Sequence, residues 1–224
     1  MQGGARHYVD KILAGIGDKR LNCPVRRIEH VPATALGAAC VRVHTDGGSE
    51  LFDKVIIATH SDQALQLLAD PSAQEQATLG AIRYQQNLAV LHTDSRVLPQ
   101  RRSAWAAWNY ERAVNPAQDG AQVCLHYWLN RLQPLPWTQP VVVSLNPIRP
   151  IDDAQVLGRY DYAHPVFDLP AVAAQGRMDA LQGPLGRYYA GAWMGYGFHE
   201  DGLKAGLAAA AALLNDSSWP GASA

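Results

Sequence analysis

The chain has 224 residues, of which 48% are hydrophobic and 17% charged, and its net charge is −1 at pH 7. This composition is typical of a globular protein with an apolar core, and the near-zero charge offers no basic face to a nucleic acid. The longest apolar run, AGLAAAAALL, is too short to cross a membrane. Three widely spaced cysteines form neither a disulfide framework nor a C-x-x-C zinc pattern, so we expect a cytoplasmic protein.

The first part of the chain predicts a helix followed by several strands. ARHYVDKILAGIG carries apolar residues at helical spacing, and RLNCPVRRIEHV predicts a strand. ALGAACVRVHTDGGSELF predicts a hairpin, because DGG between two alternating segments is a strong turn signal. The continuous apolar run at 55–58 predicts a strand that is covered on both faces. SDQALQLLADPS then predicts a short helix that stops before Pro71.

From about residue 72 the pattern changes. AQEQATLGAI predicts a helix, and four strand candidates follow, separated by breakers: NLAVLHTD, AWAAWNYERA, QVCLHYWLNRL and PVVVSLNP. Such a series predicts an antiparallel sheet. The proline-rich residues 146–170 predict a loop, which is followed by a short helix near 171–181, the apolar strand RYYAGAW and an alanine-rich helix. Because the last elements resemble the first, the sequence predicts a discontinuous domain with an antiparallel insertion.

The start of the last helix, HEDG at 199–202, is the first candidate site. Glu200 or Asp201 is placed to cap the helix, and Gly202 lets the backbone approach a ligand or another element. Gly191 and Gly195 give the preceding turn the same freedom. Backbone N–H groups at a helix start bind anions and carbonyl oxygens. We therefore interpret this segment as a helix start that faces a ligand, with plain capping as the alternative. A metal site formed by His199, Glu200 and Asp201 is a weaker alternative, because neighbours along a chain rarely converge on one ion.

The stretch YYAGAWMGYGFHEDGLKAGLAAA resembles the C-terminal flavin-binding segment of the flavin-containing amine oxidoreductase superfamily. Its form, with GFHEDG, is most similar to a bacterial branch of predicted NAD/FAD-binding, amine oxidase-like proteins. Further segments resemble that branch in the same order along the chain: FDKVIIATHSDQALQLL, IRYQQNLAVLHTD, AWAAWNYERA, HYWLNRLQPL and VSLNPIRP. The resemblance therefore extends over nearly the whole chain.

The resemblance implies that FAD is the cofactor, and it assigns residues to it. The strand in NCPVRRIEH would supply backbone hydrogen bonds to the adenine. The other contacts with FAD would come from VIIATHS, from the segment at 191–192 and from the start of the last helix. The start of the last helix would face the flavin pyrimidine carbonyl, where a helix N-terminus stabilises negative charge on the reduced flavin. The implied cofactor-binding residues are Val25 at the adenine, Ala58 and Thr59 beside the cofactor, Gly191 and Ala192 at the pyrophosphate and ribityl chain, and Glu200, Asp201 and Gly202 at the flavin.

The resemblance also implies an α+β fold with two domains. An incomplete, Rossmann-like FAD/NAD(P)-binding domain would comprise residues 1–71 and 184–224, and an antiparallel-sheet substrate domain would be inserted at 72–183. The first domain is incomplete because G-x-G-x-x-G is absent: GIGDKR and GYGFHE both lack the third glycine. The chain thus resembles the C-terminal half or more of such a protein. We expect a truncated protein, or one whose partner is a separate nucleotide-binding half or a second copy in a homo-oligomer.

The implied function is FAD-dependent oxidation by hydride transfer to the flavin, and no catalytic residue is assigned. The small-molecule substrate would be an amine or an apolar or fatty-acyl compound. Its pocket would be lined by Trp108, Tyr110, Trp128 and Tyr196, although aromatic residues that alternate on strands also fit plain sheet packing. His126 stands where close relatives are expected to carry a hydroxyl residue, and we interpret it as a hydrogen-bonded histidine within the sheet. The alternative function is a non-catalytic fragment or subunit that binds a partner chain and does not hold FAD alone.

Overall fold

The computed structural model describes residues 4–35, 37–113 and 122–216. Its helices are α1 (Gly4–Ala14), α2 (Ser61–Leu67), α3 (Ala73–Leu79), α4 (Leu129–Leu132), α5 (Leu169–Gln175) and α6 (His199–Leu214). Its strands are β1 (Val25–Val31), β2 (Cys40–Thr45), β3 (Gly48–Phe52), β4 (Val55–Ile57), β5 (Tyr84–His92), β6 (Trp108–Ala113), β7 (Gln122–Trp128), β8 (Val142–Leu145), β9 (Val156–Pro165) and β10 (Arg187–Tyr189). None of the described helices is both long and apolar enough to span a bilayer.

The contacts within the chain divide it into two compact units. The insert unit takes in Gln86–His164 and the described residues up to Lys19. The terminal unit takes in Arg20–Gln85 and the described residues from Pro165 onward. These boundaries differ from those of the predicted domains, because the terminal unit also holds residues 72–85 and 165–183. Which part of the chain serves a cofactor and which a substrate stays a prediction.

Five strands form the sheet of the insert unit, in the order β6-β7-β8-β5-β9. β7 pairs antiparallel with both β6 and β8, and β8 pairs antiparallel with β5, which confirms the predicted antiparallel sheet. Since successive side chains of a strand point to opposite faces, each strand contributes to both. One face is buried, with Val90 and Val142 packed against Ile151 from a loop. The other face exposes Trp108 and Tyr110.

Polar side chains lie among the apolar ones on the buried face. The Ser144 hydroxyl is 2.7 Å from Nε2 of His92 and 2.6 Å from Nδ1 of His126, and all three side chains are buried. Burial lowers the pKa of His92 and raises the pKa of the Cys124 thiol to about 11. Buried polar groups are tolerated when they are hydrogen-bonded. The Ser144 hydroxyl thus gives each of the two buried imidazoles a hydrogen-bond partner inside the insert unit.

The predicted loop at 146–170 is wrong over much of its length, because β9 occupies Val156–Pro165. The prolines that indicated a loop lie before the strand or at and after its end. Between them the tyrosines of RYDY favour extended backbone. β9 is an edge strand beside β5, and a proline is tolerated at such a position. The helix expected near 171–181 is α5, followed by a short 3-10 turn at Met178–Leu181.

The terminal unit contains a three-stranded antiparallel sheet in the order β1-β2-β3. Asp46 and Gly47 form the turn between β2 and β3, so the hairpin predicted from DGG is confirmed. β1 begins directly after Pro24, which keeps the proline outside the strand. Ile28 and Val41 are the buried residues that β1 and β2 contribute to the core.

A second, two-stranded sheet of the terminal unit pairs β4 with β10 in parallel, with Ile57 opposite Tyr189. α6 packs against β10 through a cluster of buried residues: Tyr188, Ala190, Ala205 and Ala209. The expectation that the 55–58 strand is covered on both faces is wrong. Ile56 is 40% exposed and Ala58 is exposed, because the described chain packs against the Ile57 side alone.

A buried ion cluster joins β10 to the start of α3. Arg187 is fully buried and forms ion pairs with Asp70 and, at 3.3 Å, with Glu75. Glu75 also accepts hydrogen bonds from the Tyr189 hydroxyl at 2.5 Å and from the Ser72 backbone N–H at 2.7 Å. Burial and the adjacent Glu75 carboxylate raise the pKa of Tyr189, so its phenol remains a donor. The charges of Arg187 and Glu75 are thus paired inside the unit.

Replacing Arg187 with methionine should lower the free energy of unfolding by about 3–5 kcal/mol, because Glu75 then stays buried without its counter-charge. Urea denaturation followed by circular dichroism measures the change. The matched control is Arg26→Met, because Arg26 forms an ion pair with Asp46 at the surface and its loss should change little. A loss for Arg187→Met as small as that of the control would contradict the prediction.

Candidate functional site

The carboxyl ends of β4 and β10 define one edge of the terminal unit. Because the two strands are parallel, the chain leaves both of them on the same side of the sheet. Ala58 and Thr59 follow β4, and Gly191 and Ala192 follow β10 after a single residue. Ligands of open α/β sheets bind outside the carboxyl ends of the strands. Four of the predicted cofactor-binding residues therefore lie at an edge that suits a ligand.

Trp193 connects the segment after β10 to the segment after β4. Its indole Nε1–H donates a hydrogen bond to the carbonyl of Thr59 at 2.9 Å, and the side chain is buried. From α5, the Gln175 amide donates to the carbonyl of Trp193 at 2.9 Å and to that of Gly195 at 2.7 Å. The turn between β10 and α6 is therefore held by three hydrogen bonds, two at its own carbonyl oxygens and one from the Trp193 indole. The sequence interpretation assigned no role to Trp193 or Gln175.

The N-terminus of α6 follows this turn and packs against its beginning. A methyl group added at Gly202 would lie 3.8 Å from the Ala192 side chain and 3.9 Å from its backbone nitrogen. Asp201 accepts a hydrogen bond from the Phe198 backbone N–H at 2.9 Å, as in a capping box. The structure thus brings Gly202 next to Ala192, and it uses Asp201 to cap the helix.

The other residues of HEDG do not form a cluster with Asp201. Glu200 is exposed and forms an ion pair with Lys204, one turn further along, at 3.5 Å. Among the described residues, the group whose ligand atoms converge lies elsewhere and contains none of His199, Glu200 and Asp201. The structure therefore gives no support to the metal alternative at this helix start.

A pocket of about 420 Å³ lies between β1 and α2 in the terminal unit. Its volume is within the range of small-molecule sites, which is about 300–1,000 Å³. The pocket brings together Val25 and Thr59, two residues that the sequence places far apart. Its lining residues are Val25, Arg26, Thr59, Gln63, Gln66 and Leu67.

The chemistry of this pocket combines an apolar side with amide and guanidinium groups. Leu67 supplies apolar surface, and Gln63 and Gln66 carry amides that both donate and accept hydrogen bonds. Arg26 pairs with both carboxylate oxygens of Asp46 at 2.8 Å, which raises the pKa of the guanidinium. The two glutamines were missed because their spacing of three residues on α2 fits a solvated helix face equally well.

The predicted substrate-pocket residues are distributed over different surfaces. Trp108 and Tyr110 lie on the exposed face of the insert unit's sheet, where Trp108 meets Tyr127 edge to face at 5.3 Å. Trp128 follows Tyr127 directly and so faces the opposite side of the sheet, where it packs on Trp105. Tyr196 belongs to the terminal unit and is exposed. Trp108 and Tyr110 therefore share a face that Trp128 does not.

Two glycines near the site are required by the protein's own packing. A methyl group at Gly191 would clash with the indole of Trp193, and one at Gly195 would lie 2.5 Å from the Asp201 carboxylate. The sequence interpretation took Gly191 and Gly195 as space for a close approach, by a ligand or by another element of the protein. The structure shows that at the Cβ positions of both glycines this space holds side chains that fix the turn.

Comparisons with known proteins relate this fold to solved structures. No family model matches the chain, and no curated protein matches it. A putrescine oxidase bound to putrescine is similar to it with a TM-score of 0.57 and 12% identity, over 93% of this chain and 52% of that one. A CLA-producing fatty acid isomerase from P. acnes gives a TM-score of 0.51 and 13% identity, over 85% and 46%. The chain spans about half the length of these structures, and it shares with them a mixed fold of helices and antiparallel sheet.

Substitution of Gly191 by alanine should lower the free energy of unfolding by about 1–3 kcal/mol, because Trp193 must leave its place against Thr59. Thermal or urea unfolding measures this. The control is Gly206→Ala in α6, where an added methyl meets no atom within 4 Å. That change should stabilise the helix by about 0.5–1 kcal/mol. Equal effects of the two substitutions would show that Trp193 does not constrain position 191.

Proposed function

We propose that the chain is part of an FAD-dependent oxidoreductase of the amine oxidase-like kind. The observation that carries this proposal is the meeting of three segments at one edge of the terminal unit: the residues after β4, the turn after β10 and the start of α6. These are the segments that the resemblance of the sequence assigns to FAD. The fold shared with a putrescine oxidase supports the same class of protein.

In this proposal different residues contact different parts of FAD. Val25 and Thr59 hold the adenosine end at the pocket between β1 and α2, where the glutamine amides offer hydrogen bonds to a base. Backbone groups at Gly191 and Ala192 lie along the pyrophosphate. The start of α6 faces the flavin, where the positive end of a helix of 16 residues favours negative charge. FAD, when bound, supplies the hydride acceptor.

The substrate is proposed to be a small amine or an apolar, fatty-acyl compound. Trp108 and Tyr110 present an exposed aromatic face on the insert unit's sheet, and such a face suits the carbon skeleton of either class. The structures of similar fold include a putrescine oxidase and a fatty acid isomerase, one for each class. Trp128 is left out of this proposal because it lies on the other face of the sheet.

A second candidate function is a non-catalytic subunit that binds a partner chain and holds no FAD alone. It is favoured by apolar surface on the terminal unit, where Ile56 in β4 and Leu203 and Leu207 in α6 are exposed. The partner would be a nucleotide-binding chain that carries the G-x-G-x-x-G element, or a second copy of this chain. In both candidates we place the protein in the cytoplasm.

The absorbance spectrum separates the two candidates. The purified chain is incubated with excess FAD and passed over a size-exclusion column, and we expect it to retain flavin absorbance. Flavin reduction is then followed with putrescine and with a long-chain fatty acid. A chain that elutes colourless would contradict autonomous FAD binding and support the second candidate.

Gly202→Ala tests the placement of FAD at the start of α6. The added methyl makes ordinary contacts with Ala192, so the fold should be kept. It fills the gap between Gly202 and Ala192 that the cofactor is proposed to approach, so the affinity for FAD should fall at least tenfold, or about 1.4 kcal/mol. Gly206→Ala, one turn further along α6, is the control and should bind FAD like the wild type. Unchanged binding by Gly202→Ala would place the cofactor elsewhere.

A further inference from the structure

The antiparallel pair β6–β7 brings three metal-binding side chains to one face of the insert unit's sheet. Glu111 lies directly opposite Cys124 in the register, and His126 follows two residues later on the same face. One potential ligand atom from each residue lies within 4.8 Å of the other two. Cys124 and His126 are buried, and Glu111 is partly buried.

We propose that Glu111, Cys124 and His126 bind a divalent transition metal ion of the Zn²⁺ type. An imidazole, a thiolate and a carboxylate are the donor types that zinc takes in proteins. With bonds of about 2.0–2.3 Å, the donors of a tetrahedral site lie about 3.3–3.8 Å apart. Here Nε2 of His126 is 3.0 Å from Oε2 of Glu111 and 3.5 Å from Sγ of Cys124. The Glu111 and Cys124 ligand atoms lie within 4.8 Å of each other, so side-chain rotations bring all three donors to ligand distance, and a water completes the four ligands.

Groups outside the donor set hold two of the three ligands in place. The Ser144 hydroxyl is 2.6 Å from Nδ1 of His126, which leaves Nε2 for the ion. Arg149 holds both carboxylate oxygens of Glu111, Nε donating to Oε1 at 2.7 Å and Nη2 to Oε2 at 3.4 Å, and Oε2 also faces Nε2 of His126. Metal ligands in proteins are commonly oriented by such outer contacts. The arrangement thus has the second layer of contacts that a metal site needs.

A competing explanation needs no metal. His126 then donates a proton from Nε2 to Glu111, and Arg149 balances the charge of the carboxylate. This explanation accounts for the histidine and the glutamate, and it leaves Cys124 as a buried thiol beside the imidazole. In the metal site Cys124 is a ligand, and its thiol proton is released to solvent when the ion binds. The thiol therefore distinguishes the two explanations.

The site has a route to solvent. The Glu111 side chain is 24% exposed, and its partner Arg149 also lines an open cleft of about 470 Å³. An ion thus reaches the donors past Glu111 and Arg149 without crossing the apolar core of the unit. Neither residue belongs to the proposed FAD site, so the two proposals stand or fall separately.

The test uses the full chain, stripped with a chelator and exchanged into chelator-free buffer. Titration with Zn²⁺ by calorimetry should give one ion per chain. Co²⁺ replaces Zn²⁺ in a parallel titration, and a cobalt-bound thiolate should add a ligand-to-metal charge-transfer band in the near ultraviolet. That band reports on Cys124 in the wild type, so the result does not depend on a variant that folds.

Cys124→Ser should remove the charge-transfer band and weaken Zn²⁺ binding at least tenfold, or about 1.4 kcal/mol. Cys23→Ser removes a thiol outside the cluster and should keep both the band and the affinity. Failure of the wild type to bind Zn²⁺, or Co²⁺ binding without the thiolate band, would overturn the proposal. So would equal affinities of wild type and Cys124→Ser.

Discussion

The parallel pairing of β4 with β10 is the constraint on which the candidate cofactor site depends. It places the carboxyl ends of two distant segments side by side, and the Ala190 N–H extends the pairing to the carbonyl of Ile57 at 3.0 Å. A two-stranded sheet has little stability of its own in water. The pairing must therefore be stabilised by the side chains and helices that pack against the two strands. The geometry of the site depends on those packing contacts.

The three residues of β10 supply that support in different ways. Arg187 enters the buried ion cluster with Glu75, which anchors the strand to α3. Tyr188 packs under α6 and donates a hydrogen bond to Asp216 at 2.7 Å, beyond the end of that helix. Tyr189 lies in the main core with Ile57. One short strand thus joins a helix start, the last helix and the core, and it fixes where the turn at 191–197 begins.

Local patterns in the sequence were enough to predict the elements that border the site. The hairpin turn at DGG, α2 and α6 follow from spacing and turn residues within a few positions. The contacts that complete the site join residues that are distant in the sequence, so local patterns do not predict them. The hydrogen bond from Trp193 to Thr59 joins residues that are far apart in the sequence. No local pattern links them, and neither residue type predicts the other as its partner. Val25 and Thr59 were assigned to one cofactor by the resemblance, but Gln63 and Gln66, which line the same pocket, were missed.

The insert unit shows the same limit. Its antiparallel strands were predicted from alternation, but alternation fixes neither the register nor the neighbour of a strand. The meeting of Glu111 with Cys124 requires both, so no metal cluster was expected there. β9 was missed because the prolines before it and at its end outweighed the tyrosines of the strand. The short-range pattern thus identified β6 and β7 without indicating their partners, and at β9 it indicated the wrong conformation.

The glycines illustrate why the position of a ligand-binding surface could not be predicted from the sequence alone. Gly191, Gly195 and Gly202 gave one and the same signal in the sequence, namely space for a close approach. The structure separates them: the indole of Trp193 takes the space at Gly191, and the carboxylate of Asp201 takes the space at Gly195. At Gly202 the nearest atoms belong to Ala192 and lie at ordinary contact distance. Of these three glycines, Gly202 is the one whose Cβ position no side chain of the protein closely occupies, so it is the one that leaves space at the start of α6.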